Sequence, residues 1–209
     1  MLEYCTAQLI TRDPAEARQL YRIAQLAGFS RIEEVSSRRA FDAADKPNRI
    51  NFFLAHEGVG AGPLGAILRA VRTREEIDVR FAPVILFAND MEFESYLGFI
   101  RMGFDDVVTL PDKLTMIKSR LCNQLSWQQV YYETKDYFGP DRRRMELGPP
   151  LGVERSAVPH SHVRHEFIRN PKTGVRIERS IIKLPVDREK SSRDRRHGEH
   201  GHWERKAVS

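Results

Sequence analysis

The chain has 209 residues and a formal net charge of +5, enough for one well-buried domain plus an extension but short for two full domains. Apolar residues make up 41% and charged residues 30%, as for a folded part diluted by a polar one. Up to Gly139 there are 17 Lys and Arg against 19 Asp and Glu, and from Pro140 onward 17 against 10, so an acid-leaning front is joined to a basic back. Cys5 and Cys122 stand far apart with no His/Cys spacing around them, which indicates neither a disulfide framework nor a zinc site.

In chain order, Ala7–Thr11 is a short apolar run stopped by Arg12-Asp13-Pro14, and it predicts a first strand. Asp13 suits a helix cap and Pro14 the first helical position. Ala17, Leu20, Tyr21, Ala24 and Ala27 follow at helical spacing until Gly28 ends the helix. Ile32–Val35 predicts a second strand and Ser37–Ala44 a short helix. Ile50–Ala55 is nearly continuous apolar sequence, as expected of a strand covered on both faces. A glycine-rich loop, 58–63, leads into a helix over Leu64–Thr73. Ala82–Ala88 is the strongest strand signal; Asn89 or Asp90 then caps a helix to Arg101, which Gly103 stops. Asp105–Leu110 predicts a fifth strand, and a last helix starts near Lys113. Leu114, Ile117, Leu121, Leu125 and Val130 keep helical spacing into Trp127–Tyr132, which predicts a long final helix. Phe167-Ile168 and Val175–Ile182 flank Asn170-Pro171-Lys172-Thr173-Gly174, a candidate hairpin turn.

Strands alternating with helices over short connections predict an α/β fold with a doubly wound, five-stranded parallel sheet, followed by a largely irregular C-terminal tail. The expected organisation is one domain over 1–126, a helix extension with an Arg-rich motif over 127–145, and a basic, His-containing tail over 146–209. That tail reads as linker and disordered sequence with a short hairpin. No apolar stretch reaches bilayer length, and the start, Met1-Leu-Glu-Tyr-Cys-Thr, lacks the pattern of a signal peptide. The cytoplasm is the expected location.

Several landmarks occur together in order: Asp13-Pro14, Ala27-Gly28-Phe29, Ala82-Pro83-Val84-Ile85-Leu86, and Met102-Gly103-Phe104-Asp105-Asp106-Val107-Val108. With them, the region from about Ala7 to Leu125 resembles a bacterial response-regulator receiver domain. The resemblance implies the flavodoxin-like strand order 2-1-3-4-5, with a site at the carboxyl ends of the strands. It also implies an acidic pair and an aspartate that hold Mg²⁺, the aspartate accepting phosphate, and a Thr/Ser and a Lys that bind the new phosphoryl group. At those places this sequence has Thr11 and Arg12, with Asp13 one residue late; Ala55 or His56, followed by Glu57; Ala88 or Phe87; and Leu110 before Pro111. A degenerate phosphorylation pocket is therefore expected at Thr11, Arg12, Asp13, Ala55, His56, Glu57, Ala88 and Leu110, with no catalytic residue, no metal and no cofactor.

Sharper signals have competing readings. His56-Glu57 suits a phosphohistidine or an acid/base pair, or a His that fills the vacated pocket and bonds to Glu57 or backbone. With no oxyanion group or activating partner in view, the second is preferred. The glycines at 58, 60, 62 and 65 lack the Lys-Ser/Thr of a P-loop and read as a flexible loop. Tyr137-Phe138-Gly139-Pro140 with Arg142, Arg143 and Arg144 suits docking on an acidic partner, docking on the domain itself, or a solvated charge run. The Arg- and His-rich end suits a solubilising tail better than a metal or nucleic-acid site.

Three classes of function follow. The favoured one is a non-catalytic, phosphorylation-independent signalling adaptor that binds a signalling protein. As the resemblance implies, it would dimerise through its fourth and fifth helices. Phe93, Tyr96, Phe99 and Ile100 crowd that fourth helix with more apolar area than one buried stripe needs, and with Tyr137, Phe138 and Arg142–Arg144 they form the expected interaction surface. The alternative is a nucleic-acid-binding regulator that uses the basic tail, with salt-sensitive contacts. An enzyme is the least supported.

Overall fold

The computed structural model describes residues 1–35, 49–141 and 161–183. Five parallel strands, β1 (Thr6–Ile10), β2 (Arg31–Glu34), β3 (Asn51–His56), β4 (Val84–Asn89) and β5 (Asp106–Leu110), form one sheet in the order β2-β1-β3-β4-β5. This is the doubly wound, flavodoxin-like arrangement. Among the described residues these helices accompany them: α1 (Pro14–Ala27), α2 (Ala61–Arg72), the single-turn α3 (Ile77–Arg80), α4 (Phe93–Met102) and α5 (Leu114–Cys122).

Period-2 alternation in the strands builds two cores. Ala7, Leu9, Phe52, Leu54, Ile85, Phe87 and Val108 meet Leu20 and Ala24 of α1 and Ile117 and Leu121 of α5. Phe53, Ala55, Val84, Leu86 and Val107 face the other way, against Leu64, Leu68 and Val71 of α2, Val79 of α3 and Ile100 of α4. Each fully buried Val, Leu, Ile or Phe among them contributes about 1.5–3 kcal/mol. The helix ends follow local chemistry. Asp13 Oδ1 accepts from the Ala15 N–H at 2.6 Å, Pro14 occupies the first turn, and Gly28 closes α1 with φ +107°. At α4, however, the N-cap is Glu92, not Asn89 or Asp90, and it makes no side-chain cap bond.

The predicted long final helix does not form. α5 stops at Cys122, Ser126 takes a φ of +62°, and Trp127 is 68% exposed. Gln128–Thr134 is instead strand β6, paired with β7 (Tyr137–Pro140) and β8 (His162–Asn170). The turn at 170–174 joins β8 to β9 (Gly174–Lys183). The residues Val130, Tyr131, Tyr132 and Thr134 are β-branched or aromatic and favour a half-buried strand. The candidate hairpin is present, as half of a four-stranded antiparallel sheet ordered β7-β6-β8-β9. The predicted helix at Ser37–Ala44 and the end beyond 183 lie outside the described residues, as does the Gly-, Pro- and Ser-rich linker expected over 147–162 as far as residue 160, while His162 opens β8.

The second sheet packs at the amino-terminal ends of β4 and β5. Phe81 stacks on Tyr131 (centroids 5.6 Å) and meets Phe167 at 4.6 Å and Phe138 at 4.9 Å. The Val175 N–H donates to Asp78 Oδ1 at 2.6 Å.

Candidate functional site

Parallel strands deliver their following loops to one end of the sheet, and the register brings the expected pocket residues together there. Ile10 lies beside Ala55, His56 beside Phe87, and Asn89 beside Leu110. Ala55 and Ala88 are fully buried and Leu110 nearly so, while Thr11 is half-buried and Arg12 and Asp13 are exposed. Neither nearby carboxylate is idle. Asp13 caps α1, and Glu57 Oε1 accepts the Asn89 N–H at 2.6 Å, tying the loop after β3 to the end of β4.

His56 is 2% exposed and bonds to backbone and to Glu16, not to Glu57. Its Nδ1 lies 3.2 Å from the Gly58 nitrogen and 3.0 Å from Glu16 Oε1. The Gly58 bond needs a lone pair on Nδ1 and the Glu16 contact needs a proton there, so the two alternate with tautomer or charge. A Cβ at Gly58 would run into the Glu16 carboxylate. His56 Nε2 and Glu16 Oε2 are buried with no hydrogen-bond partner among the described residues.

These groups do not fit Mg²⁺. The ion needs near-octahedral oxygen ligands and sheds its water reluctantly, whereas this end of the sheet offers alanines, a leucine, an imidazole and Arg12, and its carboxylates are engaged, Asp13 and Glu57 by backbone N–H groups and Glu16 by His56. Among the described residues, no group of three or more His, Cys, Asp or Glu is placed to hold a metal. A cavity of about 400 Å³ opens to one side, lined by Thr11, Arg12, Asp13, Tyr21 and Glu34 but not by His56, Ala88 or Leu110.

The expected interaction surface divides. Phe93 is 63% exposed, and Tyr96 and Phe99 are half-buried. Ile100 is a correction: at 2% exposure it belongs to the core beneath α4, because Leu97 and Ile100 form the helix's inward stripe. Phe99 also turns partly inward, edge-on to Phe104 at 6.0 Å. Tyr137 and Phe138 anchor on this chain's own α/β domain. The Tyr137 ring lies so close to Gly103 that a Cβ there would meet it at 3.1 Å. Phe138 sits between Phe81 and the Arg80 guanidinium, which lies 4.0 Å from its ring centre. Arg142, Arg143 and Arg144 lie outside the described residues.

The group that sequence reasoning missed joins the two sheets. Asp105, 3% exposed at its side chain, accepts four hydrogen bonds. Oδ1 takes Tyr131 O–H at 2.6 Å and Arg169 at 2.7 Å; Oδ2 takes Arg72 at 2.7 Å and the Val84 N–H at 2.8 Å. Arg169 has no exposed surface and also donates to the Phe81 carbonyl at 2.7 Å and to Gln124 Oε1 at 3.0 Å. Arg72 donates to the Arg80 and Ala82 carbonyls. Burial alone would raise the Asp105 carboxyl, but the two guanidiniums and the hydrogen bonds outweigh it and hold it at about 2. Burial pushes the Tyr131 hydroxyl up, so it stays protonated and donates. Two signals pointed here. Arg72 falls on the Leu64–Leu68 face of an apolar helix, and Arg169 continues the inward alternation Val163, His165, Phe167.

No protein-family model and no curated protein matches the chain. Among solved structures it is similar to a protein described as a response regulator from Chloroflexus aurantiacus, at 14% identity and a TM-score of 0.44, covering 57% of this chain and 95% of that one. It is similar to the signal receiver domain of a signal transduction histidine kinase from Syntrophus aciditrophicus, at 21% identity and a TM-score of 0.42, covering 57% and 88%. It is also similar to a response regulator in red light signaling of R. palustris, at 15% identity and a TM-score of 0.41, covering 57% and 90%.

Proposed function

We propose that this chain is a cytoplasmic signalling adaptor of the two-component type, whose receiver-like domain binds a protein partner without phosphorylation and carries no chemistry in its pocket. The observation that carries this reading is the makeup of the carboxyl end of the sheet. By the resemblance to receiver domains, Thr11 and Arg12, Ala55 or His56, Ala88 or Phe87, and Leu110 take the positions at which phosphoryl chemistry needs carboxylates, a hydroxyl and an ammonium, and both Asp13 and Glu57 are engaged by backbone N–H groups. Incubation with acetyl phosphate and Mg²⁺ is expected to give no adduct by intact mass. An acid- and base-labile gain of one phosphoryl group would overturn the reading.

The partner surface favoured here is the outer side of α4 and α5. Phe93 on α4 and Met116 and Leu114 on α5 are 63%, 52% and 37% exposed, on the two helices that flank the edge strand β5, and a homodimer through this edge is the expected assembly. Light scattering should show a dimer that Phe93→Ser weakens; a monomer at all concentrations would exclude it. A second reading, binding of nucleic acid, is favoured by Arg176, Arg179 and Lys183, which lie exposed along β9. A gel shift lost at moderate salt would support it.

A further inference from the structure

One cluster on the second sheet is untouched by the adaptor reading. Glu133 on β6, His165 on β8 and Ser180 on β9 share the sheet's inner face on three adjacent strands: Tyr131 pairs with His165, His165 with Ser180, and Glu133 follows Tyr131 by two. Ser180 Oγ lies 2.9 Å from His165 Nδ1, and His165 Nε2 lies 2.8 Å from Glu133 Oε2. One neutral tautomer satisfies both contacts. Nε2–H donates to the carboxylate, which leaves the Nδ1 lone pair to accept the Ser180 hydroxyl proton.

The ring is held in place. Its side chain is 12% exposed and lies 5.8 Å from Phe81 and 5.7 Å from Phe138, centre to centre. Arg80 donates to the other oxygen of Glu133 at 2.7 Å. Burial works to raise the Glu133 carboxyl, but the bonds from His165 and Arg80 prevail and lower it. A serine bonded to an imidazole whose far nitrogen is fixed by a carboxylate is the arrangement that activates a hydroxyl nucleophile. The two ring nitrogens are exchanged relative to the Ser-His-Asp template, and either nitrogen can take the proton.

We propose that Ser180 is an acyl-accepting nucleophile toward activated carboxylic esters with short apolar acyl groups, with His165 as its general base and Glu133 as a positioning residue. The acyl preference comes from the flanking side chains. Ile177 and Ile182 project on the same side as Ser180 and are 37% and 70% exposed, a shelf for hydrocarbon. Among the described strands β9 is at the sheet margin. Alternate backbone N–H groups along a margin point away from the sheet, where they can donate to the developing oxyanion.

In the first step Oγ bonds to the ester carbonyl carbon while its proton passes to His165 Nδ1. The carbon–oxygen bond to the leaving group breaks, and that alkoxide takes the proton. Water then attacks the acyl-serine, gives a proton to Nδ1, and releases the carboxylic acid as Ser180 recovers its hydrogen.

The full chain is to be treated with p-nitrophenyl acetate and with a fluorophosphonate, and adducts mapped by peptide mass spectrometry. A single adduct on Ser180 is expected, absent in Ser180→Ala and slowed about a hundredfold in His165→Gln. Glu133→Gln should slow labelling about tenfold and Glu133→Asp restore part of the rate, with circular dichroism unchanged. Ser180 is an exposed hydroxyl, so its alanine variant tests the proposal even if the histidine variant misfolds. No adduct, an adduct only at lysines or tyrosines, or equal labelling of urea-unfolded protein would each overturn it. None of these outcomes bears on phosphorylation of the pocket, so this proposal and the adaptor reading fail separately.

Discussion

Replacing Asp105 by Asn keeps the shape of the side chain but removes a carboxylate that faces two buried guanidiniums. Arg169 has no exposed surface and Arg72 is 6% exposed, so neither can turn to water for compensation. The variant would leave two buried cations around a neutral amide. Breaking a buried ion pair by removing one partner costs about 3–5 kcal/mol, and here the amide would also turn a donor toward the Val84 N–H or toward a guanidinium. For a domain of this size that is a fall in melting temperature of roughly 10 °C. Urea unfolding followed by Trp and Tyr fluorescence should show a lower midpoint with little change in slope. Asp105→Asn combined with Arg169→Met should cost less than the two singles added, by about 1 kcal/mol or more, because the second change removes one stranded charge. An Asp105→Asn protein within about 1 kcal/mol of the original would refute the idea that this cluster holds the two sheets together.

The same carboxylate predicts acid sensitivity. Held at about 2 against an ordinary 3.8, it contributes stability that is fully present above pH 3.8 and is lost as pH falls toward 2, on the order of 2 kcal/mol; urea midpoints across that window should fall less steeply in Asp105→Asn. Ile100→Ala should cost about 2–5 kcal/mol in urea unfolding, whereas Phe93→Ser, at a position 63% exposed, should leave the midpoint within about 0.5 kcal/mol. Burial pushes the Cys5 thiol up to about 12, so a disulfide reagent at pH 8 should leave Cys5 unmodified until denaturant is added. A chain ended at Arg142 loses β8 and β9 and with them Arg169 and Phe167, and it should unfold at markedly lower urea than the full chain instead of behaving as an intact domain.

The five parallel strands are legible in sequence because both faces are covered and the runs are almost wholly apolar. Ile50–Ala55 and Ala82–Ala88 have few other destinations. The caps of α1 are legible because Asp13, Pro14 and Gly28 act within a few residues of themselves. The end of the last helix is not, since Ile117, Leu121 and Leu125 keep helical spacing up to a turn at Ser126 that carries no Gly or Pro. The second sheet escapes a local reading for a different reason. β6 pairs with β8 across 27 intervening residues, and Arg169 bonds to Asp105 from 64 positions away. Alternation marks an inward face but not what covers it. At the pocket, strand ends are placed by topology alone, so the positions of Ala55, Ala88 and Leu110 follow from the sequence. That Glu57 reaches the Asn89 N–H does not, because side-chain direction in a loop has no sequence signature.

Both ends of β4 and β5 are tied down, and that bears on how a partner would be bound. At their amino ends, Asp105 and the Val84 N–H lie in a cluster fixed by Arg72, Arg169 and Tyr131, drawn from α2, β8 and β6. At their carboxyl ends, Asn89 is tied to Glu57 and Leu110 is packed in the core. α4 runs between these strands, so moving it as a unit would strain attachments at both ends. A switch needs two arrangements separated by only a few kcal/mol, and a cluster in which a buried charge is compensated in one geometry disfavours a second. A partner on α4 is therefore expected to meet a preformed surface. Its affinity should be the same with and without acetyl phosphate, and should fall with Phe93→Ser while the fold stays intact.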